Sequence, residues 1–382
     1  MTSSTSSNPS APAPTPAPAQ APAKRLDLSR MLTVLGPVLM LTFVVGLFAL
    51  LLGIQDVRAE MDSQGVHGFG AFWSTFSKTP YSGEQTYPGF KAFLSGANFK
   101  IVLTQTVIVA ISALGMPMII VSGGIDLSVG SVVAFTSVVG ATVMVKNGAP
   151  WMAWVATILA GGVMGLVNGT VIAGLRMMPF IVTLGMMGIA RGGAKWLAGN
   201  QTVNPVENPV NNIMGLVNPE RLFPLPYGVW ISVALAVAMT FVLRRTVFGR
   251  YVFAIGSNEA TARLCGIRVQ LYKLAIYGFA GLFFGLSGLM QLSRLTQGDP
   301  TVAAGLELDI IAAVVIGGAS LNGGTGSVLG SMVGALIMAF LRNGSNQMGW
   351  PNYMQEIIIG IVIILAVGLD RYRQSRAAAT AS

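Results

Sequence analysis

Apolar runs separated by shorter polar segments dominate the chain from residue 31 to residue 372. An α-helix rises 1.5 Å per residue, so about 20 apolar residues cross a hydrocarbon core of about 30 Å. Six runs are close to that length: 31–53, 151–175, 179–198, 228–243, 274–292 and 353–369. The pattern predicts an all-α membrane protein.

Two further apolar runs are too long for one crossing, and glycines interrupt both. Run 101–145 contains Ser-Gly-Gly-Ile-Asp-Leu-Ser at 122–128, and run 305–341 contains Gly-Gly-Ala-Ser-Leu-Asn-Gly-Gly-Thr-Gly at 317–326. One broken run in each half is typical of transporters whose pathway is built from internal repeats with discontinuous helices. If each broken run crosses twice, the chain has about ten transmembrane helices, whereas re-entrant hairpins would lower that number.

The basic residues predict the orientation of the chain, because Lys and Arg collect in the cytoplasmic loops of membrane proteins. They cluster before the first run, at 244–273, and after residue 370. All three clusters fall on the cytoplasmic side if both termini are cytoplasmic, and 54–100 then becomes a long periplasmic loop. We therefore expect a disordered, Ser- and Pro-rich cytoplasmic tail at 1–30, a transmembrane domain at 31–372 and a cytoplasmic tail at 373–382.

The composition removes several classes of function. Charged residues make up only 10% of the chain, so we expect the net charge of +9 to serve membrane orientation and lipid contact, not nucleic-acid binding. A single cysteine, Cys265, and a single histidine, His67, leave no cluster with metal-ligand spacing. No phosphate-loop, serine-hydrolase or zinc-protease motif occurs, so we expect no catalytic residue, cofactor or metal. Any ATP-driven step would require a partner chain.

Polar residues at the two breaks are the candidates for a translocation pathway. Asp126 lies inside an apolar run, where a carboxylate is costly and therefore often functional. The alternative is that Asp126 only caps the next helix. Glu307 and Asp309 open a short apolar stretch, where they either favour the helix dipole or line the mouth of a pathway. The candidate set is Ser122, Gly123, Gly124, Asp126, Ser128, Glu307, Asp309 and Asn322.

The cytoplasmic segment 249–267 predicts a short helix with Ser257 or Asn258 as its N-cap. Glu259 and Arg263 are spaced i, i+4 and would support a helix that is too short to be stable alone. Small residues would let this helix pack closely into another protein, although a helix lying on the membrane surface gives a similar pattern. The residues of the candidate are Ser257, Asn258, Glu259, Ala260, Ala262, Arg263 and Gly266.

Four motifs, in order along the chain, resemble one known family. They are Gly-Gly-Ile-Asp-Leu-Ser-Val-Gly-Ser at 123–131, Pro-Phe-Ile-Val-Thr-Leu-Gly at 179–185 with Ala-Arg-Gly at 190–192, the segment 249–267, and Glu-Leu-Asp-Ile-Ile-Ala-Ala-Val-Val-Ile-Gly-Gly-Ala-Ser-Leu at 307–321. Over residues 31–372 the chain is similar to the ribose/xylose-type permeases of bacterial ABC importers. It departs from them in its long segment 54–100 and in its N-terminal tail.

The resemblance implies a multi-pass permease subunit of the cell inner membrane that moves a pentose, hexose or polyol into the cytoplasm. Its expected partners are cassette ATPase subunits, a periplasmic sugar-binding protein and a second permease copy or paralogue. The family's coupling helix to the ATPase maps onto 257–266, inside the cytoplasmic loop 244–273. The resemblance indicates neither the sugar nor whether two identical permeases pair.

Two other classes of membrane protein are alternatives. A stand-alone secondary transporter also has repeats and broken helices, but it needs an ion-coupling constellation. The chain offers few buried ionisable residues for one: Asp126, Arg191, Glu307 and Asp309. A membrane-embedded enzyme needs a paired catalytic constellation, and the sequence shows none.

The basic clusters generate a prediction of topology. Single cysteines that replace Arg245 or Arg263 in a Cys265→Ser background should be protected from a membrane-impermeant thiol reagent in intact cells, because both positions are expected to be cytoplasmic. A cysteine that replaces Arg221 should react. Labelling of position 263 in intact cells would contradict the topology.

Overall fold

The computed structural model describes residues 28–65, 68, 88–147, 150–205 and 225–381. Most of the expected N-terminal tail, part of the expected periplasmic loop, and Arg221 lie outside these residues.

Thirteen helices occupy the described ranges. They are α1 (Leu28–Gln64), α2 (Pro88–Phe93), α3 (Gly96–Val121), α4 (Val129–Asn147), α5 (Pro150–Gly174), α6 (Pro179–Leu197), α7 (Tyr227–Arg245), α8 (Val247–Ser257), α9 (Glu259–Leu264), α10 (Val269–Leu295), α11 (Leu306–Ile316), α12 (Val328–Gln347) and α13 (Asn352–Ala381). In these ranges, pairing of extended backbone is limited to one bridge between Val203 and Gly298.

Seven of these helices are long and apolar enough to cross a membrane: α1, α3, α4, α5, α7, α10 and α12. Helices satisfy their backbone hydrogen bonds internally, which a membrane-spanning segment requires. The chain is therefore an all-helical, multi-pass membrane protein, as the apolar pattern predicts. The total of about ten crossings and the side of each terminus stay predictions.

Helix α3 forms the centre of the bundle. It is apolar on all sides, and a helix of this kind is buried all round. Ile111, Leu114 and Ile120 are fully enclosed, and α3 packs against α7, α10, α11 and α12. Because the first glycine break follows α3 directly, this packed helix fixes where the break lies.

Glycines allow α5 and α10 to make an extensive contact. Gly161 and Gly165 of α5 lie against Gly281 and Gly285 of α10, and a methyl group at any of the four would crowd backbone atoms of the other helix. Small residues spaced four apart let two membrane helices approach closely and increase their van der Waals contact. The pair holds α10 in place along its middle.

The structure contains both predicted breaks: α4 begins after the first, and the short helix α11 ends at the second. After α3 the chain turns at Gly123 (φ 83°), and α4 begins only at Val129. Helix α11 has 11 residues, about 16 Å at 1.5 Å per residue, which is too short to cross a membrane. Gly130, in the first turn of α4, packs against the Ala303 carbonyl and the Glu307 carboxylate. The N-termini of two discontinuous helices therefore meet within the bundle.

The segment 296–305, which precedes α11, folds back into the bundle. Arg191 of α6 donates hydrogen bonds from Nη1 to the carbonyl oxygens of Pro300 at 2.9 Å and Val302 at 2.6 Å. Gly298 packs against Ala141 of α4. Arg191, which the sequence offers as an ion-coupling candidate, thus holds this segment against the helices.

The loop predicted at 54–100 is too long, because helices occupy both of its ends. Helix α1 continues through residue 64, and α3 begins at residue 96. Asp56 accepts hydrogen bonds from the backbone N–H groups of Gly89 at 3.3 Å and Phe90 at 3.0 Å. These bonds tie the polar extension of α1 to α2, so the helix outlasts the apolar run from which its end was predicted.

Candidate functional site

The segment 249–267, in which the sequence predicts one short helix, contains parts of two helices. Helix α8 ends at Ser257, Asn258 is extended (φ −161°, ψ 102°), and α9 covers only Glu259–Leu264. Asn258 is one of the two N-caps that the sequence predicts, and its Oδ1 accepts a hydrogen bond from the Thr261 N–H at 2.9 Å. The chain then turns at Gly266, whose φ of 82° favours glycine. The predicted helix is therefore too long: its first residue belongs to α8 and its last to the turn.

Glu259 anchors α9 to the bundle. Its carboxylate forms the predicted i, i+4 pair with Arg263 at 2.9 Å and a second pair with Lys273 of α10 at 2.7 Å. Burial raises the pKa of the Glu259 carboxyl, but the hydrogen bonds and charges of Lys273 and Arg263 more than offset this, so the pKa lies below its usual value. The carboxylate is therefore ionised at neutral pH. Helical spacing alone does not reveal the Lys273 contact.

The exposed face of α9 differs from the predicted one. Ala262 is 4% exposed and packs with Ile255 and Val269, so it holds α9 onto the bundle and offers no surface to another protein. Leu264 is 88% exposed, and Ala260 is exposed as well. The apolar surface that α9 presents thus consists of Ala260 and Leu264, and the prediction that Ala262 contacts a partner is wrong.

Both glycine breaks meet the end of α8 at one place, which we call the glycine junction. It comprises residues 121–124, 256–257 and 323–324. The Val121 carbonyl accepts a hydrogen bond from the Gly324 N–H at 2.8 Å, and Gly256 packs so closely on the same carbonyl that a methyl group would overlap it. Gly324 has a φ of 75° and lies against Ser257. Two breaks from opposite halves of the sequence are thus joined to each other and to the helix that precedes α9.

Asp126 and Ser128 form the polar start of α4. Asp126 is 1% exposed, and its Oδ1 accepts hydrogen bonds from the Ser128 N–H at 2.7 Å and the Ser128 hydroxyl at 2.6 Å. Asn168 of α5, which the sequence did not single out, donates to the Ser128 hydroxyl at 3.2 Å. The bond to the Ser128 N–H closes an Asx-turn just before α4, which begins at Val129, so it is not the N-cap bond that the sequence leaves open for Asp126. Its part in a pathway stays a prediction.

The other pathway candidates fall into two groups. The first lies at or beside the glycine junction: Ser122, Gly123, Gly124 and Asn322. The second, Glu307 and Asp309, lies in the first turn of α11. Asp309 accepts hydrogen bonds from Nε of Arg342 at 2.8 Å and Nη2 at 2.6 Å, so it is bound to α12. The predicted pathway residues therefore do not form one cluster in the bundle.

A polar cavity of about 290 Å³ lies at the end of the bundle opposite α9. Its polar lining includes Gln105, Gln291, Arg294, Asp309, Arg342 and Gln355. Of these, only Asp309 was predicted as a pathway residue, because the others are spread over four helices, α3, α10, α12 and α13. The sequence does contain a signal for these residues: they are polar side chains in or beside apolar runs, where polar groups are costly and often functional.

Comparisons with known proteins agree with the bundle and its sequence motifs. Residues 98–367 match the family described as "Branched-chain amino acid transport system / permease component". The ribose import permease protein RbsC of Escherichia coli is 40% identical over 273 residues, which cover 72% of this chain and 85% of that protein.

Two further relatives have similar coverage. The L-arabinose ABC transporter permease protein AraH of Azospirillum brasilense is 35% identical over 292 residues, or 74% of this chain and 83% of that protein. The fructose import permease protein FrcC of Rhizobium meliloti is 33% identical over 291 residues, or 75% and 81%. No solved structure matches the chain. The chain therefore belongs to the ribose/xylose-type permease family of ABC importers, and it is a membrane transport subunit, not an enzyme.

Proposed function

We propose that the chain moves a monosaccharide from the periplasm to the cytoplasm as the permease subunit of an ATP-driven importer in the cell inner membrane. The observation that supports this proposal best is the glycine junction. It connects the helix that leads into α9 with both broken helices, and the polar cavity lies at the other end of the same helices. A partner that displaces α9 would therefore move the segments on which a pathway through the bundle depends.

The proposed partners follow from what the sequence lacks and from the relatives. The sequence has no phosphate-binding loop, so a cassette ATPase on another chain would supply the energy. The relatives named above are permeases for ribose, L-arabinose and fructose, and we extend this substrate class to the present chain. A periplasmic binding protein would deliver the sugar, and a second permease copy or paralogue would complete the membrane unit.

We place the proposed pathway between the polar cavity and the glycine junction. Asp309 would be its first carboxylate, followed by Glu307 at the start of α11 and by Asp126 and Ser128 at the start of α4. Helix N-termini present free N–H groups, which favour oxygen-rich ligands. The last group on the path would be Ser122, Gly123 and Gly124 of the glycine junction, together with Asn322 beside it.

A secondary transporter is the alternative that an experiment has to exclude. Its coupling ion would need a buried ionisable group that is free to bind it. Arg191 donates to carbonyls of segment 296–305, and Asp126 accepts two hydrogen bonds from Ser128. Arg342 neutralises the charge of Asp309 by pairing with its Oδ2, although Oδ1 has no partner among the described residues. These pairings favour the ATP-driven mechanism.

Reconstitution tests the proposed function and the role of α9 together. The permease is placed in liposomes with its cassette ATPase and binding protein, and D-ribose, L-arabinose and D-fructose are offered in turn. We expect uptake of at least one sugar that requires both ATP and the cassette subunit. Uptake driven by an ion gradient without ATP would indicate the secondary transporter, and no uptake of any of the three would contradict the proposed substrate class.

In the same system, Leu264→Glu should weaken cassette binding at least about tenfold, because a charge would be buried where an apolar contact is expected. Leu264 is 88% exposed, so the bundle should still fold. Cys265→Ser, at the next exposed position, is the matched control. If Leu264→Glu bound the cassette ATPase as tightly as the wild type does, α9 would not form the contact with the ATPase.

Gly256→Ala tests the glycine junction. The added methyl group would overlap the Val121 carbonyl, so α8 must shift away from the first break at a cost of about 1–3 kcal/mol. We expect ATP hydrolysis to continue while sugar uptake per ATP falls severalfold. Gly188→Ala in α6, where an added methyl has no neighbour within 4 Å, is the control. Wild-type uptake per ATP in Gly256→Ala would show that the junction does not transmit the motion of α9.

A further inference from the structure

The polar cavity has the size of a site for one small molecule. It lies between α3, α10, α11, α12 and α13, and its volume is about 290 Å³. Small-molecule sites in proteins occupy about 300–1,000 Å³, so this cavity is at the small end of the range. A monosaccharide suits this volume better than an oligosaccharide.

A buried carboxylate in the lining of the cavity lacks part of its hydrogen bonding. Asp309 is 2% exposed, and its Oδ2 is paired with Arg342. Its Oδ1 is buried and has no hydrogen-bond partner in the described part of the chain. Leaving a buried acceptor unpaired costs free energy that a ligand hydroxyl group would recover by donating to it. Oδ1 is closed to a water-sized group in this conformation, so a small shift of its neighbours has to admit the hydroxyl.

Further polar side chains of the cavity are also without protein partners. Gln291 is 9% exposed, and neither its amide nor that of Gln105 bonds to any residue in the described ranges. Arg294, also in the lining, likewise makes no hydrogen bond or ion pair with a described residue. Together these groups offer both donors and acceptors.

Amides elsewhere on the same helices behave differently. Asn98 of α3 donates to Asn343 of α12 at 3.0 Å, and Gln347 donates to Asn98 at 2.8 Å. None of these three residues lines the cavity. The amides of the cavity divide into two kinds: Gln355 donates to Asn346 at 2.7 Å, whereas Gln105 and Gln291 have no hydrogen-bond partner among the described residues.

We propose that this cavity is a binding site for a neutral monosaccharide, held by Asp309, Gln105, Gln291 and Arg294. The inference rests on the proposed function and adds to it the residues that contact the sugar. Sugar hydroxyl groups both donate and accept, which matches carboxylate, amide and guanidinium groups in one small space. The polar lining opposes an apolar ligand, and the guanidinium of Arg294, which has no ion pair with a described residue, opposes a cation.

Direct binding to the full-length permease in lipid nanodiscs tests the site without the ATPase or the binding protein. Labelled D-ribose, L-arabinose and D-fructose are the probes. Gln291→Leu keeps the size of the side chain and breaks no internal hydrogen bond, so it should still fold and should weaken sugar binding about 3- to 10-fold. Gln201→Leu, at an exposed position outside the cavity, is the matched control and should bind as the wild type does.

A second variant tests the class of ligand by a gain of binding. Asp309→Asn removes the negative charge from a cavity that retains Arg294 and Arg342. We expect D-gluconate, a sugar acid, to compete with the sugar more strongly in Asp309→Asn than in the wild type. Equal competition in the two proteins would show that the Asp309 charge does not act on the ligand.

The possible outcomes separate this inference from the proposed function. ATP-dependent sugar uptake by the reconstituted wild type, combined with no sugar binding to the permease or with equal binding by Gln291→Leu and Gln201→Leu, would overturn the inference and leave the function standing. Failure of the wild type to take up any of the three sugars would overturn both. Displacement of the probe by L-leucine would overturn the ligand class.

Discussion

The backbone carbonyl of Val121 is the point where both glycine breaks and the end of α8 meet. Val121 is the last residue of the central helix α3. Its carbonyl oxygen accepts a hydrogen bond from the Gly324 N–H at 2.8 Å, and Gly256 packs against the same oxygen. Backbone atoms can approach this closely only where no Cβ intervenes. A contact made by main-chain atoms cannot be relieved by a change of rotamer, so we expect a shift of α8 to move the breaks with it.

Helix α10 gives this junction its connection to the opposite end of the bundle. Near its N-terminus Lys273 holds the Glu259 carboxylate of α9, and near its C-terminus Gln291 and Arg294 line the polar cavity. The glycine contact with α5 holds the middle of α10. The helix is continuous over 27 residues, about 40 Å, so it spans the bundle as one rigid element. Both breaks pack beside the end of α3, and segment 296–305 packs against α4 and α6.

The sequence was sufficient for features that depend on local pattern. Apolar runs of membrane length predict most of the long helices, glycines within long runs predict both breaks, and i, i+4 spacing predicts the Glu259–Arg263 pair. It was insufficient where distant segments meet. The inward packing of Ala262, the bond from Asn168 to Ser128 and the cavity all join helices far apart in the chain, and no spacing rule relates such positions. The helical ends of segment 54–100 were missed because hydrogen bonds of Asp56 stabilise a polar sequence.

Hydrogen–deuterium exchange of the assembled transporter measures most directly whether motion of α8 and α9 reaches both glycine breaks through the glycine junction. Exchange would be followed in peptides that cover 119–128, 250–266 and 317–327, with and without a non-hydrolysable ATP analogue. We expect the analogue to change exchange in all three segments together, since a main-chain hydrogen bond of Gly324 belongs to the contact. A change confined to 250–266, with both breaks unaffected, would contradict it.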